Sequence, residues 1–167
     1  MLGDNLKIVQ DNIRSACERA GRSVDEITLI AVSKTKPLSD IEELIAYNVT
    51  EFGENKVQEL VDKYENVSKP VNWHLIGHLQ TNKVKYIVDK ACLIHSVDSY
   101  KLALEIEKEA VKKNVIANIL VQVNVANEET KFGLDTSQVI GLVEEISKLP
   151  HIKIKGLMTI APFVENP

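Results

Sequence analysis

Long apolar runs are missing from this chain, and no stretch approaches the roughly 20 residues that a membrane-spanning helix needs, which argues against a membrane protein. Cysteine is scarce. Cys17 and Cys92 are lone thiols far apart, with no metal-ligand spacing and no disulfide framework, as suits a reducing cytosol. Positive charge is not in excess: the net charge of −4 leaves no electrostatic footprint for nucleic acid or an anionic membrane. Met1-Leu2-Gly3-Asp4-Asn5 lacks the basic and apolar regions of a signal peptide, so a cytoplasmic protein is expected. No linker or low-complexity segment interrupts the chain, so residues 1–167 are read as a single domain. No G-x-G-x-x-G follows the first predicted strand, so the dinucleotide fingerprint is absent.

What is present is an ordinary globular composition, 44% apolar and 26% charged, arranged in a regular alternation. Residues 4–20 read as a helix closed by Gly21, because Leu6, Val9, Ile13, Cys17 and Ala20 recur at helical intervals. Predicted strands follow at 27–33, 49–52, 71–76, 91–97, 118–125 and 152–160. Between them lie helices from the capping box Ser39-Asp40-Ile41-Glu42 to Tyr47, over 54–64 and over 79–88, then one capped by Asp98 or Ser99 that runs to Lys113, and one capped by Thr136 or Ser137 that ends near Leu149. Strict β/α alternation predicts a parallel sheet with right-handed crossovers. About 28 residues per unit is close to the ~30 of a barrel, so a β/α barrel is preferred to an open doubly wound sheet, with only six of the usual eight units present.

Barrels do chemistry at the carboxyl ends of their strands. The first such end is the most unusual. Ile27 to Ser33 is an apolar, β-branched run that ends at Lys34, and Pro37 stops it. Alternation places Ile30, Val32 and Lys34 on one face and Leu29, Ala31 and Ser33 on the other. Lys34 either snorkels into water or is a desolvated amine able to form Schiff bases with carbonyl compounds. The other ends add Gly53-Glu54-Asn55, His74 with Gly77-His78, His95-Ser96 with Asp98, Gln122 with Asn124, and Gly156 with Met158-Thr159. Each has a plain alternative: Asn55 as a helix cap, Met158 as core, His95 as a satisfied buried histidine. His74 and His78 are four apart, but in a strand, and no third ligand adjoins them, so no metal site is expected.

Several stretches together resemble one family. Ala31-Val32-Ser33-Lys34-Thr35-Lys36-Pro37 is similar to the signature of the pyridoxal phosphate homeostasis proteins, the small single-barrel relatives of alanine racemase. Phe52-Gly53-Glu54-Asn55-Lys56-Val57-Gln58-Glu59 and Trp73-His74-Leu75-Ile76-Gly77-His78-Leu79-Gln80-Thr81-Asn82-Lys83 resemble its second and third blocks, and Lys131-Phe132-Gly133 and Gly156-Leu157-Met158-Thr159-Ile160 two more. The resemblance implies a barrel of the alanine racemase N-terminal type that carries pyridoxal 5'-phosphate as a lysine aldimine. Lys34 matches the cofactor lysine, and Asn55, His78 and Met158 are expected to line the same pocket. Lys36, beside Pro37, is expected to stay extended, exposed and protonated.

The resemblance also implies a role in intracellular pyridoxal phosphate homeostasis, with apo-enzymes that use the cofactor as partners and no firm catalytic activity. The alternative is a pyridoxal phosphate-dependent amino-acid racemase, which needs acid/base groups on both faces of the bound amino acid. Nothing after Ile160 resembles the family's serine-rich phosphate motif or the arginine that faces the pyridine nitrogen. A shortened barrel is therefore expected, with apolar outer edges on its first and sixth strands, weaker cofactor binding than a longer chain, and a monomeric state once the barrel is complete.

Overall fold

The computed structural model describes residues 1–125 and 132–162. Six strands form one parallel sheet in sequential order: β1 (Ala31–Val32), β2 (Glu51–Glu54), β3 (Asn72–Leu75), β4 (Ala91–Val97), β5 (Ala117–Gln122) and β6 (Ile152–Met158). This is the order of a β/α barrel, and among the described residues β1 and β6 do not pair with each other. A leading helix, α1 (Leu2–Ala20), precedes the sheet and ends at Gly21 in the left-handed conformation. The crossovers are α2 (Leu38–Ala46), α3 (Val57–Asn66), α4 (Val84–Ile87), α5 (Tyr100–Lys113) and α6 (Val139–Ile146). Short 3₁₀ turns precede α4 and α6, at Thr81–Lys83 and Thr136–Gln138.

The core lies between the sheet and this helical layer. Phe52, Trp73, Leu75, Ile94, Ile119 and Val121 from the strands pack with Ile41, Leu60, Ile87, Ile106 and Ile146 from the helices. The opposite residues of the same strands, Gly53, His74, Leu120 and Gln122 among them, are left for the barrel interior, as the period-two alternation requires.

Local details depart from expectation where backbone partners, rather than propensity, set the boundary. The ladder of β1 covers Ala31–Val32 and not 27–33, because its one neighbour, β2, offers only a short run to pair with. Ser39 does not cap α2: the helix begins after Pro37, whose fixed backbone suits a helix start and which supplies no side-chain cap. Asp135, not Thr136 or Ser137, accepts the capping bond from the Ser137 N–H. Ser99 caps α5 by accepting from the Leu102 N–H.

Gly77 shapes the rim where β3 ends. A Cβ there would lie 2.4 Å from the Asn55 carbonyl oxygen and 2.7 Å from its Cα, so only glycine lets the two strand ends pass. Gly77→Ala is expected to cost about 1–3 kcal/mol, the usual range for overpacking, and to displace Asn55. A thermal melt unchanged from the parent would refute that contact.

Candidate functional site

At the carboxyl ends of the strands lies a cavity of about 730 Å³, inside the range of roughly 300–1,000 Å³ usual for small-molecule sites. Ile30, Val32 and Lys34 line it from β1 and its flanks, Asn55 and Lys56 from the end of β2, and Ile76, Gly77 and His78 from the end of β3. His95, Gln122, Phe132, Met158 and Ile160 complete the wall. Lys34, Asn55, His78 and Met158, far apart in sequence, thus meet in one space, and the alternation that put Ile30, Val32 and Lys34 on one face holds.

Of the two readings of Lys34, the structure shows the solvent-reaching one and not the desolvated amine. Lys34 lies two residues past β1 and is exposed, so it reaches the cavity from the solvent side. Its backbone, by contrast, is clamped on both sides. Lys63 Nζ, on α3, donates to the Ser33 carbonyl at 2.7 Å, and the Ser33 hydroxyl donates to Glu54 Oε1 at 2.6 Å. On the other side the Thr35 N–H donates to Glu59 Oε1 at 2.6 Å. Lys63 ties the two halves together with 2.7 Å contacts to both Glu54 and Glu59. Burial pushes the Glu59 carboxyl up, but the bonds from Lys63 and Thr35 outweigh it and hold the group below the usual carboxylate range. Thr35 itself has φ 62°, a left-handed conformation that a β-branched residue keeps only when its surroundings hold it.

Asn55 does not cap α3, whose N-cap position is Lys56; it stays half-buried on the cavity wall. His78 is exposed and stacks on Phe132, with ring centroids 3.9 Å apart and planes 11° from parallel. Met158 ends β6 beside Gln122 of β5. Lys36 is exposed and does not line the cavity. Lys131, which opens the fourth motif block, lies outside the described residues, as does the end of the chain from residue 163.

The floor of the cavity carries a buried polar chain. His95 Nε2 lies 2.9 Å from His74 Nδ1, and His74 Nε2 lies 2.8 Å from Glu51 Oε2. Burial and then the neighbouring His74 ring push His95 down to about 4, so it is neutral near pH 7. Burial acts to raise Glu51, but hydrogen bonds from His74 and Asn72 outweigh it and keep the carboxylate ionised.

His95 and Gln122, named from the sequence as strand-end residues, and Phe132, in a motif block, also line the cavity, although none was singled out for the pocket. Sequence reading missed Lys63, whose i, i+4 relation to Glu59 was the visible signal but which reads as a surface pair until the fold buries it.

The alanine racemase N-terminal domain family matches residues 5–167. A pyridoxal phosphate homeostasis protein of Aquifex aeolicus is 46% identical over 165 residues, covering 98% of this chain and 72% of its own. The crystal structure of an unknown protein from Bifidobacterium adolescentis superposes with a TM-score of 0.92 at 33% identity, over 99% of this chain and 71% of the other. PipY of Synechococcus elongatus, with pyridoxal phosphate bound, gives a TM-score of 0.79 at 31% identity, over 92% of this chain and 72% of that one.

Proposed function

This chain belongs to the pyridoxal phosphate homeostasis proteins, a branch of the alanine racemase N-terminal domain family, and from that premise we propose that it binds pyridoxal 5'-phosphate through Lys34. The observation that carries the reading is that the one lysine matching the cofactor lysine opens onto the cavity that also holds Asn55, His78 and Met158. Its residues suit the group. Lys34 offers a primary amine reachable from solvent. Asn55 offers an amide for polar ring substituents, and Met158 with Ile30, Val32, Ile76 and Ile160 gives apolar surface for the faces of a heterocycle.

Pyridoxal phosphate brings an aldehyde and an electron-withdrawing pyridine ring. Lys34 Nζ condenses with that aldehyde, forming a C=N bond and releasing water. The clamp on Ser33 and Thr35 fixes the base of the lysine and leaves its amine free to reach the ring. The open cavity suits reversible loading of the cofactor; the protein is read as a cytoplasmic carrier that buffers it for apo-enzymes, monomeric once the barrel is complete. Racemase activity would require a proton-transfer group on each face of a bound amino acid, and no observation among the described residues favours it.

Mixing the chain with pyridoxal phosphate, reducing with borohydride and mapping the labelled peptide is expected to place the modification at Lys34. Label spread evenly over the surface lysines would defeat the reading.

A further inference from the structure

A second group of residues does not line the cavity, and the cofactor reading leaves it unused. Glu51 opens β2, His74 sits within β3 and Cys92 is the second residue of β4. One ligand atom from each lies within 4.8 Å of the other two. A local irregularity puts the thiol there. Ala91 pairs with Trp73 and Leu93 with His74, so Cys92 is an extra residue opposite a single step of β3. Such a bulge re-aims a side chain, and here it brings a thiol beside the Glu51–His74 pair.

We propose that Glu51, His74 and Cys92 form a binding site for one thiophilic divalent cation, Zn²⁺ by its donor set. Mixed thiolate, imidazole and carboxylate ligation matches zinc and not the all-oxygen sites of calcium or magnesium. Zinc bonds of about 2.0–2.3 Å in a tetrahedron separate ligand atoms by roughly 3.3–3.8 Å. The three atoms reach that spacing if the Glu51–His74 contact opens from 2.8 Å and the widest separation closes from at most 4.8 Å. Glu51 is part-exposed, which leaves an entry path, and the fourth position falls to water.

The outer shell is already in place. Asn72 Nδ2 donates to Glu51 Oε1 at 2.5 Å, and His95 Nε2 adjoins His74 Nδ1. Without metal, His74 Nε2–H donates to the Glu51 carboxylate. With metal, His74 Nε2 must present its lone pair, so the Nε2 proton is given up and His74 Nδ1–H donates to His95 Nε2. Zn²⁺ displaces the Cys92 thiol proton, so binding releases protons and strengthens as pH rises.

The test is a titration of the reduced, chelator-treated full chain with Co²⁺, followed by competition with Zn²⁺ against a chromophoric chelator. One equivalent is expected to bind and to give a thiolate-to-cobalt charge-transfer band that Zn²⁺ abolishes. Cys92→Ser is expected to remove the band, and Cys17→Ser, the control for the other thiol, to keep it. Glu51→Gln is expected to weaken Zn²⁺ at least about tenfold, the loss that even an outer-shell change produces. Each variant is compared at a matched folded fraction, judged by circular dichroism. Absence of the band in the parent, a band that survives Cys92→Ser, or equal Zn²⁺ affinity in Glu51→Gln and parent would overturn the site.

Discussion

Lys34→Ala is expected to abolish covalent capture of pyridoxal phosphate, reducing borohydride-fixed label in that peptide to background. The effect should be close to all-or-none, since the side chain supplies the nitrogen of the bond. Lys34 is exposed and packs into no core, so the same change should move stability by no more than about 0.5 kcal/mol, as for other surface substitutions. Lys36→Ala should leave labelling intact, because Lys36 does not line the cavity. Lys56 does line it and is the local rival. If label persisted in Lys34→Ala and vanished in Lys56→Ala, the wrong lysine has been chosen.

Lys63→Met should produce the largest loss of stability. The Lys63 side chain is 6% exposed and its partner Glu54 is fully buried, so removing the ammonium strands a carboxylate in the core. Breaking a buried pair on one side typically costs about 3–5 kcal/mol, whereas replacing both partners by apolar groups costs far less. At about 2–4 °C per kcal/mol for a chain of this size, the melting temperature should fall by roughly 6–20 °C. The double variant Lys63→Met, Glu54→Leu should recover much of that loss. A single-variant melt within a degree or two of the parent would show that the pair contributes little. Glu59→Gln probes the clamp more gently: by weakening its hold on the Thr35 N–H it should slow labelling of Lys34 more than it lowers stability.

The regular spacing of apolar runs made the six β/α units legible, because period-two and period-3.6 patterns report burial directly. Element ends were less legible. The limits of β1 depend on how much of β2 faces it, and the start of α2 depends on Pro37 rather than on the Ser39 signal. Barrel topology sends every strand's carboxyl end to the same rim, which made Lys34, Asn55, His78 and Met158 candidates among many; the family resemblance is what singled them out.

The sequence by itself determined the class of fold and which residues would compete for that rim. Local periodicity and chain direction are enough for both. Only the tertiary structure decided the environments. It left Lys34 exposed while burying Lys63, joined His74 to His95 and Glu51 from neighbouring strands, and turned Cys92 inward at a bulge. The last two outcomes rest on register between strands whose paired residues are 18 to 21 apart in sequence, and a one-residue slip would send each strand side chain to the other face.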